Sequence, residues 1–233
     1  MLSGLKIKKE IEKGNIVISD FDESRLNPNS YNIRLGNKMR VYTNGIVNAD
    51  QLEAEIREKS EPQRQLYLDI CSKFKDDDSL APDALKSKTE QLEEVYKELT
   101  DIKNDVIRKY ALDPKKDNKT EELTIPEEGR VLLPGVLYLG ETMEYTETYG
   151  YVPKIDGRST TGRLGIVVHL TAGFGDNGFK GKWTLEITVT HPVIVYPGME
   201  IGQLYYENID GDSSMTYNGK YQNQQGVQAA KVD

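Results

Sequence analysis

At 233 residues, with 37% hydrophobic positions and a formal net charge of −8, the chain has room for one large β domain, or for one domain carrying an insertion. No apolar run approaches the ~20 residues a membrane helix needs, and the acidic balance argues against a broad nucleic-acid face, which is ordinarily basic. A single cysteine, Cys71, excludes an internal disulfide framework and suits a reducing cytoplasm.

The opening, MLSGLKIKKEIEKGNIVI, lacks the uninterrupted apolar stretch of an export signal. Ser3 is placed to cap a short helix through Leu5, Ile7 and Ile11, and Gly14 to stop it. Glycine then marks the organisation, since all 20 glycines lie outside residues 46–128. Before that gap NIVISD, SYNIRLG and MRVYT read as strands. After it come RVLLP, VLYLG, GIVVHLTA, KWTLEITV, VIVYP and EIGQLYYEN. Short apolar runs punctuated by Gly, Pro, Asn and Asp predict a closed or sandwiched sheet, so the class is mainly β.

The glycine-free middle follows a different period. Leu66, Ile70 and Phe74 are spaced by four, and Leu85, Leu92, Leu99 and Val106 recur every seven, with Val95 and Ile102 interleaved. Between them KDDDSLAPD supplies a break and a fresh cap. An antiparallel helical hairpin is therefore predicted over 48–119, ended by the polar DPKKDNKTEE, with the β domain in 1–47 and 120–233. The apolar stripe has to be covered by its partner helix or by another subunit. The insertion reads as a stabilising or oligomer-facing projection, or as a device that binds a protein partner.

Several motifs are weaker than they look. GFGDNG at 173–178 matches G-x-G-x-x-G, but a dinucleotide fingerprint must open a helix. Here the β-type run FKGKWTLEITV follows, so a β-turn or hairpin connection is expected. Asp20-Phe21-Asp22-Glu23-Ser24 begins like a calcium loop, yet Arg25 stands where that loop needs Gly. His169, on an apolar run, reads as a structural histidine. With Cys71, His169 and His191 as the whole Cys/His complement, no structural or catalytic zinc centre is expected, nor the H-x-E and P-C-x-x-C set of zinc deaminases.

Three segments carry more. In Asp156-Gly157-Arg158-Ser159-Thr160-Thr161-Gly162-Arg163, two guanidinium forks flank hydroxyls and glycines suited to phosphate oxygens; alone, such a stretch is also an ordinary polar turn. Thr171 to Phe179 leads into Thr184-Leu185-Glu186, where Glu186 is the one carboxylate in an otherwise apolar strand. Alternation sets Trp183, Leu185 and Ile187 on one face and Thr184, Glu186 and Thr188 on the other, where Glu186 is equally open to a solvated or salt-bridged role. The tail, Tyr217 to Gly226, combines Lys220 with aromatic rings and amides, and is composed to dock rather than fray.

Taken in this order, GRSTTGRLG (157–165), VHLTAGF (168–174), Asp176-x-Gly178-Phe179, Thr184-Leu185-Glu186, YPGMEIGQL (196–204) and GKYQNQQG (219–226) resemble the dCTP deaminase family of the dUTPase-like superfamily. SYNIRLG (30–36) and LLPGVLYLGETMEY (132–145) extend the likeness, which covers roughly 1–47 and 120–233. The resemblance implies a distorted dUTPase-like β barrel with a short N-terminal helix and an inserted hairpin, assembled as a homotrimer with nucleotide sites at subunit interfaces. It implies that Glu186 is the general base activating a water for attack on cytosine C4, with Ser159 and Arg163 orienting water and ring. Arg158, Ser159, Lys220 and Gln224 would hold a triphosphate carrying magnesium, and zinc would play no part. Ala172 and Asp176 would lie near base and sugar, Tyr217 would close over the nucleotide, and Thr160, Thr184 and Gln203 would complete the contacts.

TAGF followed by Asp176, and Gln203 in EIGQL, look like the bifunctional members, which convert dCTP to dUMP, diphosphate and ammonia. The alternatives are a monofunctional deaminase giving dUTP, or a nucleotide-gated protein-binding module acting through the hairpin. A plain dUTPase fits less well, because its glycine-rich, arginine-bearing arm is replaced here by GVQAAKVD. Departures from the family pattern fall at Thr160, Thr161, Gly175, Asn177 and Trp183. If the alternation holds, Trp183 faces away from Glu186 and bears on packing.

Overall fold

The computed structural model describes residues 1–43, 49–75 and 82–232. The chain divides into two compact units, Met1–Thr43 with Asp113–Asp233, and Asn44–Leu112.

The first unit is mainly β. Its elements are α1 (Gly4–Glu12), β1 (Ile16–Ile18), β2 (Tyr31–Tyr42), β3 (Thr120–Thr124), β4 (Arg130–Leu132), β5 (Tyr138–Thr148), β6 (Tyr151–Gly157), α4 (Ser159–Arg163), β7 (Ile166–Val167), β8 (Lys180–Val189), β9 (Val193–Val195) and β10 (Glu200–Asn208). Eight strands form a barrel-like antiparallel sheet in the order β6-β10-β2-β5-β8-β7, with β1 on β5 and β3 on β2; β4 and β9 pair separately. Ser3 caps α1 by accepting from the Lys6 N–H at 3.3 Å, and Gly14, at φ 78°, lets the chain leave it.

The alternation expected in β8 holds: Trp183, Leu185 and Ile187 are buried while Thr184, Glu186 and Thr188 are half-buried. Leu185 and Ile187 join Ile33, Leu35, Leu204 and Tyr206 in one apolar core, each such side chain contributing about 1.5–3 kcal/mol relative to exposure.

The strand reading needs four corrections. SYNIRLG and MRVYT are one strand, β2, with a register shift between Leu35 and Met39. GIVVHLTA is extended only at Ile166–Val167, because Gly165 turns at φ 72° and the backbone beyond is drawn toward Glu186. β6, YVPKIDG, carries Pro153, which argues against a central strand; as the terminal strand its missing N–H costs no ladder bond. β3 lies in the stretch read as polar linker, a charged strand at the sheet margin.

The second unit is a pair of packed helices, α2 (Ala49–Lys75) and α3 (Pro82–Tyr110). They run antiparallel, since Lys109 and Tyr110 at the end of α3 both bond Glu55 near the start of α2, at 3.0 and 2.5 Å. Val95 and Val106 are buried, with Leu92, Leu99 and Ile102 half-buried beside them. Leu66 and Leu85 instead stay exposed, and Ile70 alone of its i, i+4 series is seen to be buried; the Phe74 side chain lies outside the described residues. Among the described residues no helix is long and apolar enough to cross a membrane.

Candidate active site

A cavity of about 330 Å³ opens beside β8, and Glu186 lies on its wall. Glu186 pairs across the sheet with Leu139, and its Oε2 accepts the Leu170 backbone N–H at 3.1 Å. The loop that departs from β7 therefore pins the carboxylate and leaves its other oxygen available to a ligand or water. A turn places the second carboxylate, with the Phe179 N–H donating to the Asp176 carbonyl at 3.1 Å. Asn177 locks that turn, donating to the carbonyls of Ser213 and Met215 and accepting the Gly150 N–H. Of the stretch 173–178, only its end enters a turn, over 176–179, and that turn holds Asp176 in the same cavity as Glu186.

The tail docks as its composition suggests. The Gln222 carbonyl oxygen Oε1 accepts the Lys180 N–H at 2.8 Å, while its amide donates to Gly178 and Tyr217 carbonyls. Gln224 forms a parallel bridge with Gly181 and its amide donates to the Lys182 carbonyl. Farther along, the Gln228 N–H donates to Thr184 Oγ1 at 3.1 Å and the Ala230 N–H to the Tyr42 hydroxyl at 3.0 Å. Residues 228–230 thereby form part of the cavity wall.

Ala172, Asp176, Thr184, Glu186, Tyr217 and Gln224 are thus brought together. Arg158, Ser159, Thr160, Arg163, Gln203 and Lys220 do not line that cavity. Arg158 and Gln203 belong to a second cluster where α4 rests on β10. Arg158 pairs with Glu200 at 2.7 Å and also donates to the Glu200 carbonyl. Gln203 donates to the Gly157 carbonyl at 3.0 Å and accepts from Ser30 at 2.7 Å. Thr161 is buried beneath, its hydroxyl shared between the carbonyls of Arg158 and Ile201, which accounts for a polar residue at that position. Ser159, Thr160 and Arg163 project from α4 as exposed side chains. Lys220 donates to the Lys231 carbonyl at 2.8 Å.

Residues 1–74 and 94–209 match the dCTP deaminase-like family. The chain belongs to that family. A dUMP-forming dCTP deaminase of Clostridium acetobutylicum is 41% identical over 228 residues, covering 98% of this chain and 94% of the relative. One from Cytophaga hutchinsonii is 40% identical with the same coverage. A crystal structure of 2′-deoxycytidine 5′-triphosphate deaminase from Agrobacterium tumefaciens aligns with 88% of this chain and 46% of that chain, at 17% identity and a TM-score of 0.49. Against the family's motifs, the sequence reading missed the cavity's aromatic lining. Tyr42 belongs to no motif, Phe174 enters only as the last residue of VHLTAGF, and Trp183, which the alternation gives to packing, reaches the same cavity with its ring. No local pattern marks Tyr42, which arrives from the end of β2.

Proposed function

We propose that this protein deaminates dCTP and cleaves its triphosphate, giving dUMP, diphosphate and ammonia. The observation that carries the reading is the pair of carboxylates, Glu186 and Asp176, in one aromatic-walled cavity of a chain from this family. Glu186 takes a proton from water, and the resulting hydroxide adds to C4 of cytosine. The same proton passes to the exocyclic amine, the C4–N bond breaks, and ammonia leaves uracil behind. A second water attacks the α-phosphorus, breaking its bond to the bridging oxygen and releasing diphosphate, with Asp176, the other carboxylate lining the cavity, proposed to take that water's proton.

Arg158, Ser159, Thr160 and Arg163 are proposed to meet the phosphates and ring from a neighbouring copy, which is why they need not line the cavity of their own chain. The assembly is proposed to be a homotrimer; exposed Val131, opposite Ile194 on β4–β9, offers apolar surface for a contact between copies. Magnesium is proposed to arrive on the triphosphate. The ion would take its oxygens from phosphate and water and supply charge neutralisation. The lone Cys71 suits work in the cytoplasm.

Incubation of the purified protein with dCTP and magnesium, followed by separation of products, tests the reading. dUMP with diphosphate is expected; dUTP as end product would show deamination alone, and no turnover would sink the proposal. Glu186→Gln should lower kcat by roughly 10²–10⁴-fold with dCTP binding kept. Mixing inactive Glu186→Gln and Arg158→Ala proteins should restore part of the activity if sites are shared between copies.

A further inference from the structure

We propose that Trp183 and Gly175 form a matched pair that sets the size of the Glu186 cavity, with the indole a contact surface for the pyrimidine base. The inference rests on the nucleotide reading above. Trp183 is the only tryptophan. It is 7% exposed and sits on the buried face of β8, yet its ring reaches the cavity wall.

The ring is fixed from several sides. Its Nε1–H donates to Thr146 Oγ1 at 3.0 Å, and its backbone N–H to Thr142 Oγ1 at 2.9 Å. Phe179 packs on it with ring centroids 5.0 Å apart, and Tyr217 meets Phe179 edge-on at 6.0 Å. Held so, the Cζ2–Cη2 edge points at Gly175. A Cβ at that position would overlap Cη2 and stand 3.1 Å from Pro153 Cγ.

Gly175 has no room to retreat. Its N–H donates to the Pro153 carbonyl at 2.8 Å, and Phe174 bridges Lys154. The space that a side chain at 175 would occupy is therefore filled by the indole, and neither residue can be changed alone without moving the wall. Asp176 follows directly, so a push on Gly175 is passed to the second carboxylate of the cavity.

The closing experiment uses the full-length Glu186→Gln protein with dCTP and magnesium. Binding is measured by equilibrium dialysis of labelled dCTP and, in parallel, by tryptophan fluorescence. Fluorescence is expected to change with the Kd found by dialysis. Trp183→Phe should weaken binding about tenfold, within the range of base–aromatic stacking. In the otherwise unaltered protein, Gly175→Ala should lower kcat/KM about tenfold, and adding Gly175→Ala to a Trp183→Val chain should cost little beyond Trp183→Val alone, as coupled neighbours do. Binding by dialysis with silent fluorescence, or a Gly175→Ala defect that is undiminished in the Trp183→Val background, would overturn the pair and leave the nucleotide reading standing. Absence of dCTP binding by dialysis would overturn both. The fluorescence arm alters neither residue, so it decides the matter even if Gly175→Ala fails to fold.

Discussion

Replacing Glu144 by Gln tests whether the sheet is held by a buried charge cluster that ties Arg25 and Arg34 to β5. The Glu144 side chain is completely buried, and it accepts from Arg25 Nη1 at 2.5 Å, Arg34 Nε at 2.7 Å and the Arg34 N–H at 2.9 Å. Arg25 is itself only 9% exposed in its side chain, stacked over the Tyr31 ring. The amide is nearly isosteric and keeps one acceptor oxygen, but it strips the counter-charge from a buried guanidinium. Breaking one side of such a pair costs about 3–5 kcal/mol. The partial exposure of Arg34, 24%, places the expected loss at the lower end, about 3 kcal/mol. For a chain of this size that lowers Tm by roughly 6–12 °C. The exposed Lys8–Glu23 pair is the control; Glu23→Gln should cost no more than about 0.5 kcal/mol. Calorimetric melting of both variants measures the difference. A loss below about 1 kcal/mol in Glu144→Gln would refute the claim that the cluster is coupled and desolvated.

Two further outcomes are expected. Arg158→Lys keeps the charge but not the fork that Glu200 holds, so the KM for dCTP should rise about tenfold; initial-rate kinetics with an unchanged KM would place Arg158 outside the triphosphate contacts. In the hairpin, Glu55 is lowered to about 2 by hydrogen bonds from Tyr110, Lys59 and Lys109. A depressed carboxylate stabilises the fold above its ordinary value of 4.5 and ceases to do so as pH falls toward 2. Helical ellipticity should therefore drop over that window, and Glu55→Gln should lose that acid step while being less helical at neutral pH. An identical acid profile in the two proteins would remove Glu55 from the hairpin's stability.

Patterns of period two and of capping were legible in the sequence because each rests on neighbours a few residues apart. Ser3, Gly14 and the two faces of β8 are of this kind, as is the turn at 176–179. Patterns that depend on where a strand lies in the sheet were not. Pro153 is tolerated because β6 ends the sheet, which nothing in YVPKIDG announces. The seven-residue spacing gave α3 but misassigned Leu85, since burial requires a facing residue as well as a period. At the candidate site, motif order brought out Glu186, Asp176, Tyr217 and Gln224. Trp183 escaped because alternation assigns a face, whereas a long ring can reach round a strand edge to a wall built by another loop.

The tail's hydrogen bonds divide into two sets, and the division bears on how a nucleotide enters. Gln222 and Gln224 bond backbone carbonyls and N–H groups of β8 and the 176–179 turn, so they anchor the tail on backbone groups, Gln224 spending its own cavity-lining amide on the Lys182 carbonyl. The tip acts otherwise. The Gln228 N–H occupies Thr184 Oγ1, and the Lys231 carbonyl occupies Lys220. Thr184 and Lys220 are two of the groups proposed to receive the nucleotide. A ligand that uses them competes with the Gln228 N–H and the Lys231 carbonyl, while the Gln222 bonds to Lys180 and Gly178 can stay in place. The arrangement separates docking of the tail, fixed by the backbone of β8, from occupation of the cavity mouth, which a triphosphate can contest one hydrogen bond at a time.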